Sequence, residues 1–177
     1  MKNVVLIGFM GTGKSSVGKL LAYRLGKSFV DIDGRIEKEM GMTIPEVFAR
    51  FGEATFREKE AAVVAKISRY KNAVIATGGG VVLNPLNMEM LRQKGVIVSL
   101  AANPEIILER TSRRPTRPLL QCENPLQIIK EMLEKRSPLY AQADIQIDTS
   151  IATPYEVTEQ IIEYLRQGGY LGARSIR

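Results

Sequence analysis

Gly8-Phe9-Met10-Gly11-Thr12-Gly13-Lys14-Ser15 fits the pattern G-x-x-x-x-G-K-[ST] without a mismatch, and its surroundings are those the pattern requires. Upstream, Val4-Val5-Leu6-Ile7 is a short, largely β-branched apolar run of the kind that forms a buried parallel strand. Downstream, Val17, Leu20, Leu21 and Leu25 recur at helical spacing, and Gly26 stands where such a helix should stop. Strand, loop and helix in that order predict a phosphate-binding loop. Its glycines let backbone N–H groups turn inward around phosphate oxygens, and the helix N-terminus adds a partial positive charge. Lys14 then reaches the β- and γ-phosphates of a nucleotide, and the Ser15 hydroxyl is placed to ligate Mg²⁺.

The remaining composition narrows the chemistry. With 177 residues, 45% apolar and 25% charged, the chain suits a single soluble globular domain. No stretch approaches the roughly 20 apolar residues of a membrane span. The apolar start runs straight into the phosphate loop without a cleavage pattern, so no targeting segment is expected. A single cysteine, Cys122, excludes an internal disulfide and suits a reducing cytoplasm. There is no histidine, which excludes imidazole general-base chemistry and histidine metal sites. Acid–base work falls to carboxylates, and any metal sits on oxygens, which points to Mg²⁺. The net charge of +6 fits either a nucleic-acid face or a cleft for two anions, but the aromatic-interleaved basic stripe of RNA binders is missing.

Apolar strand candidates alternate with amphipathic helices, predicting a layered α/β fold with a parallel sheet. The strands are placed at Asn3–Ile7, Ser28–Asp31, Ala73–Thr77, Val96–Leu100 and Ile145–Asp148, the first four buried and the last, which alternates, at an edge. Thr43-Ile44-Pro45-Glu46 and Thr153-Pro154-Tyr155-Glu156 have capping-box spacing, and Asn124-Pro125-Leu126-Gln127 resembles them. The segment Arg110–Gln121 carries Pro115, Pro118 and four arginines, the composition of a mobile lid. Gly168 and Gly169 end the final helix, leaving a loose tail over about 168–177.

Four constellations carry candidate chemistry. Asp31-Ile32-Asp33 closes the second strand, at the end of the sheet where ligands collect, and an extended path puts both carboxylates on one side. One would serve Mg²⁺ and the other an acceptor hydroxyl, unless Asp33 is simply the N-cap of the next helix. Arg57 and Glu60 stand three apart in a helix beginning near Glu53, as a surface ion pair or as a carboxylate steadying an arginine for an anion. Arg136 extends the apolar stripe of Leu126, Ile129 and Leu133, so it lines a cavity or emerges to water at the helix end. Thr77-Gly78-Gly79-Gly80 follows the third strand and allows backbone to approach a ligand closely.

Taken together these segments resemble the shikimate kinase family over nearly the whole chain. The resemblance rests on Gly8–Ser15 continuing into Val17-Gly18-Lys19-Leu20-Leu21-Ala22, then Asp31-Ile32-Asp33 and Gly52-Glu53-Ala54-Thr55-Phe56-Arg57-Glu58-Lys59-Glu60. Thr77-Gly78-Gly79-Gly80, Arg117-Pro118-Leu119-Leu120 and Arg136-Ser137-Pro138-Leu139-Tyr140 complete it. It implies a three-layer P-loop kinase fold like that of nucleoside monophosphate kinases, with a five-stranded parallel sheet in the order 2-3-1-4-5. One domain would span 1–177, with a substrate-binding region near 33–60 and a lid near 111–122. The implied reaction is phosphorylation of the 3-hydroxyl of shikimate by ATP, on the chorismate route to aromatic amino acids.

Residue by residue, the resemblance implies that Asp33 binds the substrate hydroxyls as candidate base. Arg57 and Arg136 would clamp the carboxylate, Glu60 would support Arg57, and the turn Gly78, Gly79 and Gly80 would contribute the Gly79 amide. Gly11, Thr12, Gly13, Lys14, Ser15 and Ser16 would wrap the ATP phosphates. Ser15 would ligate Mg²⁺, with Asp31 acting through the metal's waters. Arg117 would swing in from the lid as a catalytic cation, and Arg110 would lie near adenine. One departure stands at Thr153, where some members carry an arginine that touches adenine. The expected setting is a cytoplasmic monomer with no nucleic-acid or membrane partner. The rival readings are a P-loop kinase of gluconate or a nucleoside monophosphate, and a nucleotide-dependent switch or nucleic-acid binder. The second lacks the N-K-x-D and T-K-x-D guanine-reading motifs.

Overall fold

The predicted strands assemble as one parallel sheet in the computed structural model, which describes residues 2–112 and 123–171. The strands β1 (Asn3–Ile7), β2 (Ser28–Asp31), β3 (Ala73–Ala76), β4 (Gly95–Ala101) and β5 (Ile145–Asp148) lie in the order β2-β3-β1-β4-β5. Central β1 pairs Val5 with Ile75 on one side and Ile97 on the other. Alternation along it builds the layers. Val4 and Leu6 join Val17 and Leu21 of α1 (Lys14–Leu25) and Val157 and Ile161 of α7 (Pro154–Gln167). Val5 and Ile7 face the opposite way, into a core shared with α2 (Ile32–Met40), α3 (Ile44–Ile67), α4 (Pro85–Lys94), α5 (Pro104–Ser112) and α6 (Pro125–Tyr140).

Two expectations change. Strand β2 is not buried: Ser28 is exposed and Phe29, Val30 and Asp31 are half-buried, because β2 is the sheet edge paired only with β3. Asp33 is not an N-cap and the Asp31-Ile32-Asp33 path is not extended throughout. Asp31 caps α2, its Oδ1 accepting from the N–H groups of Asp33 (3.1 Å) and Gly34 (3.4 Å), so Asp33 lies in the first helical turn. Asp31 satisfies two first-turn donors that would otherwise have no partner.

The capping boxes form as read. Glu156 accepts from the Thr153 N–H at 2.7 Å while Thr153 Oγ1 accepts from the Glu156 N–H at 3.3 Å. Asn124 Oδ1 accepts from the Gln127 N–H. Within α3, Gly52 has φ 77° and ψ 175°, so the helical path breaks there and restarts at the turn carrying Glu53, Arg57 and Glu60. After α7, Tyr170 and Leu171 pack against the α1/α7 core, with the Tyr170 N–H on the Leu165 carbonyl. Most of the proposed lid, including Arg117 and Cys122, lies outside the described residues. Among the described residues no helix is long and apolar enough to cross a membrane.

Candidate active site

The loop between β1 and α1 is shaped by its backbone. Gly8, Gly11 and Gly13 have φ of 140°, 78° and 94°, and a Cβ at Gly8 would overlap the Leu100 carbonyl oxygen. Lys14 Nζ, nearly buried, donates to the carbonyls of Gly8 and Phe9, each at 2.8 Å, and Thr12 Oγ1 donates to the Phe9 carbonyl at 2.8 Å. These contacts hold the loop in its wrapped form. Gly13 puts no side chain over the start of α1, where Lys14, Ser15 and Ser16 form the first turn, so that end presents N–H donors suited to an anion.

Beside it, Ser15 Oγ donates to Asp31 Oδ2 at 2.7 Å. This brings together the two residues expected to serve a metal. They offer oxygen only, one hydroxyl and one carboxylate near a phosphate loop, which fits the few protein ligands that Mg²⁺ takes alongside phosphate.

The other predicted residues meet at the Gly78–Gly80 turn. A Cβ on Gly78 would fall 2.6 Å from Asp33 Oδ1 and 3.2 Å from Glu60 Oε1. A Cβ on Gly80 would fall 2.5 Å and 2.6 Å from the two terminal nitrogens of Arg57. Gly79 lies against the phosphate loop, its own virtual Cβ 3.3 Å from the Met10 nitrogen, and its carbonyl accepts from Arg136 Nη1 at 3.3 Å. Three bare residues therefore let an aspartate, two arginines and the phosphate loop share one small volume. That resolves the alternatives for Arg136, which points inward over the Phe9 ring, 5.7 Å from its centroid.

Glu60 is the electrostatic pivot. Its Oε2 accepts from Arg57 Nη1 at 2.9 Å, and with a side chain 1% exposed it is no surface ion pair. Burial pushes its carboxyl above the ordinary carboxylate range, the Arg57 and Arg136 charges pull it down, and the Asp33 charge pushes it up further. Burial also works against the Arg57 charge, but Glu60 and Glu53 outweigh it and hold that guanidinium above its ordinary value. Glu53 was missed as a partner: its Oε1 accepts from Arg57 Nε at 3.2 Å and Nη2 at 3.0 Å, and the i,i+4 spacing carried the signal.

Arg110 is on the far side of the phosphate loop. Its Nη2 donates to the Thr149 carbonyl at 2.6 Å, and its Nη1 to Thr149 Oγ1 (3.1 Å) and the Gly11 carbonyl (3.3 Å). Thr149 Oγ1 in turn reaches the Thr12 and Ala101 carbonyls, both at 3.0 Å. Nothing in local sequence marked Thr149, a residue just past an edge strand, as a strap on that loop.

A parallel sheet in this order, with a glycine loop opening α1 and cationic side chains converging beside it, defines a P-loop kinase. The shikimate kinase family profile matches residues 10–166. A shikimate kinase of Thermodesulfovibrio yellowstonii is 56% identical over 167 residues, covering 94% of this chain and 96% of that protein. One from Caldanaerobacter subterraneus is 52% identical over 170 residues, covering 96% and 99%. The solved shikimate kinase from Acinetobacter baumannii in complex with shikimate superposes with a TM-score of 0.91 at 39% identity, over 95% of this chain and 94% of that one. The chain belongs to the shikimate kinase family. A gluconokinase from Sinorhizobium meliloti, at 18% identity and a TM-score of 0.64, shares the fold alone.

Proposed function

We infer that this chain transfers the γ-phosphoryl group of ATP to the 3-hydroxyl of shikimate, giving 3-phosphoshikimate and ADP. The observation that carries the reading is the meeting of Asp33, Arg57 and Arg136 at one glycine turn, against the phosphate loop. A small ring acid bearing a carboxylate and hydroxyls matches that set: the arginines take the carboxylate and Asp33 takes a hydroxyl. Glu60 holds Arg57 in its fork, and the Gly79 amide adds a donor. Asp33 orients the 3-hydroxyl and accepts its proton as the phosphorus–oxygen bond forms. Lys14, the backbone from Gly11 to Ser16 and Arg117 from the lid take up charge on the phosphates. Ser15 and Asp31 would hold Mg²⁺, which neutralises phosphate charge when bound. Arg110 borders the adenine. The expected setting is a cytoplasmic monomer.

A coupled assay for ADP tests the reaction. Release should require both shikimate and Mg²⁺, and gluconate or a nucleoside monophosphate should not replace shikimate. Turnover on either of those without turnover on shikimate refutes the assignment. Tight nucleic-acid retention in filter binding, with no phosphoryl transfer, would instead favour a binding protein.

The turn gives a sharper test. In Gly80→Ala the three atoms nearest the new methyl group all belong to the flexible end of Arg57, so the fold should persist. Shikimate KM should rise about tenfold, with ATP KM within about twofold of the parent, as expected for loss of uniform binding. An unchanged shikimate KM removes Arg57 from the carboxylate clamp.

A further inference from the structure

Helix α6 reaches the glycine turn with two donors. Tyr140 Oη donates to the Gly79 carbonyl at 2.8 Å, and Arg136 Nη1 donates to the same oxygen at 3.3 Å. Tyr140 is buried, at 5% exposure, whereas Arg136 is half-buried. Burial pushes the phenol above its ordinary value while the Arg136 charge pulls it back, so the hydroxyl remains a neutral donor at neutral pH. The two donors suit different work. A neutral hydroxyl matches a carbonyl, and a guanidinium fork matches a carboxylate.

The peptide they grip is itself a hub. Because a trans peptide is planar, holding the Gly79 carbonyl also sets the direction of the Gly80 N–H. The Arg57 guanidinium also packs against Gly80, and Gly79 abuts the Met10 nitrogen. If Arg136 alone held the carbonyl, turning toward a substrate would leave that oxygen without its donor, which is costly in a part-buried site.

We propose that Tyr140 is a positioning residue: its hydroxyl keeps the Gly79 carbonyl bonded when Arg136 turns to the substrate carboxylate, and so frees Arg136 for the substrate without stranding that oxygen. This rests on the clamp reading of Arg136 given above. It assigns a part to the tyrosine four residues after Arg136 that concerns neither nucleotide nor chemistry.

Tyr140→Phe removes only the hydroxyl. Shikimate KM should rise about tenfold while kcat and ATP KM each stay within about threefold of the parent. A purely structural role would instead lower the unfolding temperature and move kcat or both KM values together, and that result overturns the proposal. A double-mutant cycle with Arg136→Ala separates the two readings. With no arginine to release, adding Tyr140→Phe to Arg136→Ala should change shikimate KM by less than about twofold. A full tenfold effect in that background overturns the Tyr140 role alone. An unchanged shikimate KM in Arg136→Ala overturns the clamp reading itself.

Discussion

Replacing Asp33 by Asn should lower kcat by about 10²–10⁴, the range for loss of a positioned acid–base group, while ATP affinity stays near that of the parent. The substitution conserves volume and the first-turn position. The Asp33 N–H still donates to Asp31 Oδ1, so α2 keeps its start. What changes is chemical: an amide cannot accept the proton of the acceptor hydroxyl. Isothermal titration with ATP and a steady-state assay with shikimate read the two quantities separately. Unaltered turnover removes Asp33 from the base role, and a parallel collapse of ATP binding would mean that the variant disrupts the loop instead.

Lys14→Ala carries the second large expectation. Its ammonium group bonds the Gly8 and Phe9 carbonyls from within the loop, 2.8 Å from each. Truncation removes a cation from the phosphates and leaves two carbonyls without that donor. By analogy with removal of one charge-stabilising donor, kcat/KM for ATP should fall about 10²–10³-fold. Initial rates over an ATP series at saturating shikimate measure it. If the ATP dependence stays put, this loop is not where the nucleotide's phosphates sit.

What the residues disclosed depended on the range of the interaction. Strand positions were legible because β-branched runs such as Val4–Ile7 and Ala73–Ala76 signal themselves within a few residues. The phosphate loop and the Thr153 box are local too. The strand order was not written in those patterns and entered through family resemblance. Edge or centre was legible for β5, whose alternation marked it as an edge, but not for β2: Phe29 and Val30 resemble core residues, yet β2 has one neighbour. The Asp31/Asp33 ambiguity arose because two aspartates bracket a single isoleucine, and only the start of the helix chooses between them. Least legible were contacts across the fold. Tyr140 meets Gly79 from 61 positions away, and Thr149 meets Thr12 from 137. Arg136 was readable only in part, as a charge out of place on an apolar stripe, which says that a partner exists without naming it.

Asp31 uses both oxygens of one short side chain, Oδ1 on the opening turn of α2 and Oδ2 on the Ser15 hydroxyl. Serine and threonine have the reach for the first task but only one oxygen, asparagine has one acceptor, and glutamate has two but an extra methylene. Among the twenty residue types, only aspartate meets both demands with so short a side chain. A mutational scan at that codon should therefore be far less permissive than one at an ordinary helix start.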